Sequence, residues 1–97
     1  MTIVSVSRWK GDPADTRLAR EIAPVLKKHG AVSVRLAFCH SGAHAGQTFG
    51  VITYPDWASY GRAMQSLSAD ADYKRILGEM SKTFELQERY LSVTEDL

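Results

Sequence analysis

Two histidines flanking a glycine are the residues best suited to acid–base chemistry. His40 and His44 lie on either side of Gly42, and Cys39 directly precedes the first histidine. Because a histidine titrates close to neutral pH, either one could take a proton from a bound substrate. We therefore predict His40 and His44 as catalytic candidates.

The same residues could instead bind a metal ion, since Cys and His are common ligands. A metal site needs several ligands that converge, whereas Cys39 and His40 would point to opposite faces of a continuing strand. No second ligand cluster follows them in the sequence. We expect neither a metal site nor a bound cofactor, and ordinary loop histidines are the alternative to a catalytic pair.

Other polar and aromatic residues could shape a pocket for a small ligand. We predict ligand-binding roles for five of them: Trp9, Arg35, Cys39, Tyr54 and Glu88. Arg35 lies in the middle of a predicted strand, and a buried arginine needs a partner such as Glu85 or Glu88. An exposed charge on an edge strand and an ion pair between subunits are the alternatives for Arg35. Tyr54, which precedes a proline, could serve packing alone.

The elements that must position these residues follow from hydrophobic periodicity. Alternation of apolar and polar residues predicts strands over 2–9, 31–40, 47–54 and 84–93. A first helix should begin at Asp12-Pro13 and end at His29-Gly30. A second helical region, 57–80, should break at residues 68–70. This βαββαβ order predicts a single α+β domain over 1–97, of ferredoxin-like type with an antiparallel sheet.

The alternation also predicts which residues share a face of the sheet. The most apolar set should pack under the helices: Val32, Val34, Leu36 and Phe38. The opposite face, which the helices leave open, should carry a set of mixed character. This set suits the wall of a cavity better than open water: Ser5, Ser7, Trp9, Arg35, Ala37 and Cys39. In the last strand, simple alternation places Leu86 on the face opposite Arg89 and Leu91.

Three segments carry a resemblance to a known group of proteins. They are APVLKKHGA at 23–31, VITYPDWASYG at 51–61 and SADAD at 68–72. With these segments and the element order, the chain resembles the dimeric α/β-barrel superfamily. That group includes antibiotic-biosynthesis-type monooxygenases and NIPSNAP-like and EthD-like proteins.

The resemblance implies a homodimer in which two sheets meet and close a barrel. It also implies a cavity for a small, partly aromatic metabolite. Two further classes of function remain open. The protein could be a cofactor-independent monooxygenase-like enzyme that acts on a phenolic or polyketide-like substrate, or it could be a non-catalytic self-association module. Haem-degrading relatives use an Asn-His-Trp set, and this chain has no asparagine.

Composition narrows the classes of partner. The 97 residues carry a net charge of +1 with basic and acidic residues interspersed, which argues against nucleic-acid binding. No apolar run is long enough for a membrane span, and the first residues lack the pattern of a signal peptide. The single cysteine cannot form an internal disulfide, so we expect a cytoplasmic protein.

Overall fold

The His29-Gly30 dipeptide ends the first helix in a hydrogen-bonded turn. In the computed structural model, which describes residues 1–97, helix α1 spans Arg17–Lys28. Gly30 adopts a φ of 113°, which favours glycine. Its N–H donates to the Lys27 carbonyl at 3.1 Å, and the Ala31 N–H donates to the Leu26 carbonyl at 3.1 Å. These two bonds form a Schellman motif, and the predicted end of the helix is confirmed.

The predicted start of α1 at Asp12-Pro13 is wrong. Asp12 accepts a hydrogen bond from the Ala14 N–H at 3.0 Å through its side chain and one from the Asp15 N–H at 3.1 Å through its carbonyl. Aspartate favours such turns for the same reason that it favours helix caps, namely local bonding to backbone N–H groups. The segment therefore forms a turn, and the helix begins only at Arg17.

Four strands form one antiparallel sheet. They are β1 (Ile3–Lys10), β2 (Ser33–Phe38), β3 (Thr48–Tyr54) and β4 (Glu85–Val93), in the order β2-β3-β1-β4. Between β2 and β3, the Gly46 N–H donates to the Cys39 carbonyl at 2.9 Å, and Gly42 and Gly46 both have positive φ. The predicted hairpin and the α+β, ferredoxin-like order are confirmed.

Two aspartates begin the remaining helices. Helix α2 spans Trp57–Leu67, and the Asp56 carboxylate accepts from the Ser59 N–H at 2.7 Å. Helix α3 spans Ala71–Thr83, and the Asp70 carboxylate accepts from the Tyr73 N–H at 3.0 Å. Both bonds satisfy backbone donors that the first turn of a helix leaves free. The predicted break at residues 68–70 is therefore confirmed.

The strand register divides the sheet into two faces. One face, here called the cavity face, carries Ile3, Ser7 and Trp9 of β1, because these pair with Tyr54, Gly50 and Thr48 of β3. Ile3 and Tyr54 are buried with helix residues that include Leu18, Ile22 and Ile76, so the helices cover this face. The other, open face carries Val4, Val6 and Arg8 of β1 with their cross-strand partners.

A bulge in β4 overturns the predicted alternation of that strand. Arg8 pairs with Glu88, but the next residue, Trp9, pairs with Leu86, so Gln87 is the extra residue. Leu86 therefore shares the cavity face with Arg89 and does not oppose it. A single inserted residue reverses every inward-facing position beyond it, which simple alternation cannot anticipate.

The apolar set of β2 lies on the predicted face but does not form core. Val34 packs against the core, whereas Leu36 is 38% exposed and Phe38 is 53% exposed. Val32 is also exposed. The core is instead concentrated where Ile3 and Tyr54 meet the helices.

A hydrogen-bonded triad joins the ends of the three helices. His29 Nε2 lies 2.7 Å from Asp70 Oδ2, and His29 Nδ1 lies 2.8 Å from Ser66 Oγ. The bond from His29, followed by the backbone bond from Tyr73, lowers the pKa of Asp70. Sequence analysis did not identify this set, because residues from three helices meet only in the fold.

We predict that Asp70→Asn destabilises the protein in a pH-dependent way. Asparagine can still cap α3, but it lacks the charge. Because the pKa of Asp70 is lower in the folded chain, the stabilisation is complete above the unfolded value of about 3.9 and is lost as the pH falls through the folded value. Measured by urea unfolding, the free energy of unfolding should be higher for the wild type than for Asp70→Asn near neutral pH, and this difference should shrink in acid. Asp96→Asn, in the exposed tail, is the control and should change little. An advantage that stays constant with pH would contradict this account.

Candidate functional site

A cavity of about 420 Å³ separates the helices from one end of the sheet. Its walls are mostly hydrophobic: Leu18, Ile22 and Leu26 of α1 line one side, and Tyr73, Leu77 and Met80 of α3 line another. The floor is the part of the cavity face around Ser7, Trp9 and Gly50. A concave, largely apolar space with a few polar groups is the usual form of a small-molecule site.

Ser7 and Trp9 form the polar centre of the floor. The Trp9 indole Nε1–H donates to Ser7 Oγ at 2.8 Å. Ser7 is 8% exposed and is the one buried polar residue of the chain. Its hydroxyl accepts from the indole and donates to no group of the chain, so one O–H donor remains for a ligand.

Gly50 keeps this floor open. A Cβ atom at position 50 would lie 2.9 Å from Ser7 Oγ and 4.0 Å from Trp9 Nε1. Any side chain here would therefore compete with the Ser7–Trp9 pair for space. The glycine leaves a flat patch of backbone beside the hydroxyl.

Gly11 packs against a residue that lines the cavity. A Cβ atom at this position would clash with the Cδ1 atom of the Phe84 ring and would lie 3.0 Å from the Thr83 carbonyl oxygen. The ring of Phe84, which lines the cavity, thus packs against bare backbone directly after β1. Sequence analysis missed both glycines, because close approach across a sheet depends on register.

Arg89 lines the cavity and was also missed. It pairs directly with Ser7 across β1 and β4, so the two side chains lie on the same face. Arg89 forms neither an ion pair nor a side-chain hydrogen bond within the chain. The bulge at Gln87 puts Arg89 on the same face as Leu86, an arrangement that the sequence pattern concealed.

The predicted cavity-wall set is split between two faces. Ser7 and Trp9 stand on the cavity face, under the helices, and not on the face opposite the helices as expected. Arg35 also borders the cavity, but it pairs with Val51, so its side chain stands on the open face as expected. Ala37 pairs with Phe49 on that same open face. The grouping of these residues into one wall was wrong because it ignored the register between strands.

Glu88 binds a different arginine from the one predicted. Its carboxylate lies 3.1 Å from Arg8, which also donates to the Gln47 side chain at 2.7 Å. Arg35 lies on edge strand β2, and Glu88 lies on the opposite edge strand β4, about 14 Å away across three strand spacings. An Arg35–Glu88 pair within one chain is therefore impossible.

The hairpin residues lie outside the cavity. His40 and Cys39 border a shallow depression with Pro13 and Ala14, and the Cys39 thiol donates to the Ser41 carbonyl at 3.2 Å. His44 is exposed at the tip. The structure brings neither histidine to Ser7 or Trp9, and their catalytic role stays a prediction.

Tyr54 is buried in the core at the other end of the sheet from Trp9. Its ring packs edge-on against Tyr60 with 5.4 Å between centroids. Burial, followed by the nearby Tyr73 and Tyr60, raises the pKa of Tyr54 to about 12. In this chain Tyr54 contributes packing and not a cavity wall.

No three side chains among His, Cys, Asp and Glu come together in a group that could hold a metal ion. No helix has the length and apolar character needed to cross a membrane.

Comparison with solved structures finds the same fold in proteins of low sequence identity. SnoaB from Streptomyces nogalater, a cofactor-independent oxygenase, superposes with a TM-score of 0.73 at 15% identity, covering 99% of this chain and 95% of SnoaB. A NIPSNAP family protein from Agrobacterium tumefaciens gives 0.68 at 14% identity, with coverage of 99% and 95%. A dimeric ferredoxin-like protein from an uncultured marine organism gives 0.66 at 18% identity, with coverage of 98% for both chains.

These likenesses establish the fold. The chain has a ferredoxin-like α+β fold, as the sequence predicted. No protein-family profile matches the sequence. No curated protein matches it either.

We predict that Gly50→Ala disturbs the cavity floor and lowers stability by about 1 kcal/mol. The steric cost of overpacking, about 1–3 kcal/mol, exceeds the gain of about 0.5–1 kcal/mol from removing a strand glycine. Displacement of Ser7 should also alter Trp9 fluorescence, measured in a Trp57→Phe background so that Trp9 alone emits.

Gly61→Ala is the matched control. Nothing lies within 4 Å of a Cβ atom at position 61, and this glycine is inside α2. Alanine there should stabilise the helix by up to about 1 kcal/mol and leave Trp9 emission unchanged. Unchanged emission in Gly50→Ala would show that the floor is not packed as described.

Proposed function

We propose that this protein is a homodimer that binds a small, partly aromatic metabolite in the cavity between its helices and its sheet. The observation that carries the proposal is the cavity itself, with its apolar walls and the Ser7–Trp9 pair on its floor. Its volume of about 420 Å³ falls in the range typical of small-molecule sites. A cytoplasmic location stays a prediction based on the single, unpaired Cys39.

The open face supports the homodimer. The helices cover the opposite face of the sheet and leave this one bare. Its apolar patch consists of Val4, Val6, Phe49, Val51 and Tyr90. The Arg8–Glu88 pair lies beside this patch, and the Arg8 side chain is only 13% exposed. A patch of this kind usually marks an interface. One structural neighbour is described as a dimeric ferredoxin-like protein.

The second candidate function is a cofactor-independent monooxygenase-like activity on a phenolic or polyketide-like substrate. The similarity to SnoaB, described as a cofactor-independent oxygenase, favours it over other activities. In such a reaction the chain would hold the ring in an apolar space, exclude water and position a hydroxyl for proton removal. A non-catalytic self-association module is the competing class, in which the same residues only pack or pair.

We predict that Val6→Asp converts a dimer to a monomer. A carboxylate at the centre of the open face would be buried without a partner, which should raise the dimer dissociation constant at least about a hundredfold. Sedimentation equilibrium at micromolar concentration would measure this, with circular dichroism to verify folding.

Val32→Asp is the control, because Val32 is 60% exposed and lies outside the open-face patch. It should remain dimeric. A wild-type protein that is monomeric at micromolar concentration would contradict the proposed dimer, and so would a folded Val6→Asp variant that still dimerises.

We predict that replacing both His40 and His44 by alanine leaves the binding of 2-naphthol unchanged, because neither side chain lines the cavity. Isothermal titration calorimetry would measure the affinity of this small phenol. Turnover of a phenolic substrate, if the protein catalyses it, is the separate readout for the histidines as bases. Loss of 2-naphthol binding in the double variant would contradict the cavity as the binding site and would indicate binding at the hairpin tip.

A further inference from the structure

One row of residues across the cavity face changes from apolar at one edge of the sheet to charged at the other. Leu36 pairs with Gly50, Gly50 pairs with Ser7, and Ser7 pairs with Arg89. These four residues therefore stand side by side across all four strands, at spacings of about 5 Å. The row begins with an apolar side chain, continues through bare backbone and a hydroxyl, and ends with a guanidinium.

The polar half of this row, Ser7 and Arg89, offers a ligand mainly hydrogen-bond donors. The Ser7 oxygen already accepts from the Trp9 indole, while its own O–H has no acceptor in the chain. Arg89 has five N–H donors, and no carboxylate of the chain pairs with it. Two neighbouring free donors, one of them charged, match an oxyanion.

The charges bordering the cavity agree with this. Arg20 and Arg89 border it, against a single carboxylate, Asp15, while the side chain of Arg35 stands on the open face. Asp15 lies in the loop between β1 and α1, where it already accepts a hydrogen bond from the Arg17 N–H at 3.3 Å. Basic side chains therefore outnumber acidic ones at the border of the cavity.

We infer that the ligand is a planar hydrophobic molecule with one oxyanion head, bound with its ring over Gly50 and its head at Ser7 and Arg89. This inference rests on the function proposed above and adds the chemical class and orientation of the ligand. Gly50 accommodates the ring because any side chain there would occupy the space beside Ser7. Leu36 and Ile52 supply apolar contact at the other end.

A matched pair of probes tests the inference: 2-naphthoate and its uncharged analogue 2-naphthamide. The two share ring and shape and differ in the charge of the head. Calorimetric titration of the wild-type protein should give about tenfold tighter binding of 2-naphthoate. Arg89→Gln should remove this preference by weakening 2-naphthoate alone, and Arg89→Lys should restore part of it.

Arg35→Gln is the control, because it removes the same charge from the opposite face of the sheet. It should keep the preference. Equal binding of the two probes by wild-type protein would overturn the inference and leave the cavity proposal standing. Loss of the preference in Arg35→Gln as large as in Arg89→Gln would also overturn it. If neither probe binds to the folded protein, the proposed function fails and the inference fails with it.

Discussion

The size of the residues at the centre of the sheet decides where the helices can touch it. At one end, Ile3 and Tyr54 fill the space under the helices and form the core. At the other end, Gly50 and Ser7 are too small to reach α1 and α3, so a cavity remains. One sheet therefore provides both a packed support and an open site, and the support holds the cavity walls in place.

The connections between the strands leave one face of the sheet uncovered. Right-handed crossovers place the helices on one side of the sheet, which leaves the other side bare. All three helices lie on the covered side. In the function proposed, the cavity face binds the ligand, and the open face, which carries Arg35 and Glu88, is the surface for self-association.

Element order and most helix ends could be predicted from sequence, because they depend on local signals such as Gly30, Asp56 and Asp70. The helix start at Asp12 failed because the same local bonding also stabilises a turn. The lining of the cavity could be predicted only in part: Trp9 was among the predicted residues, while Arg89 and Gly50 were not. Both depend on pairing between strands distant in sequence, and the bulge at Gln87 reversed the expected face of Leu86.

The most direct test of the account is to locate a bound phenol by nuclear magnetic resonance. The chain has two tryptophans: Trp9 lines the cavity floor, and Trp57 lies 48% exposed on α2, away from it. On addition of 2-naphthol, the indole N–H signal of Trp9 should shift while that of Trp57 stays in place. A shift of Trp57 alone, or of open-face residues such as Val6 with Trp9 unchanged, would contradict a site between the helices and the sheet.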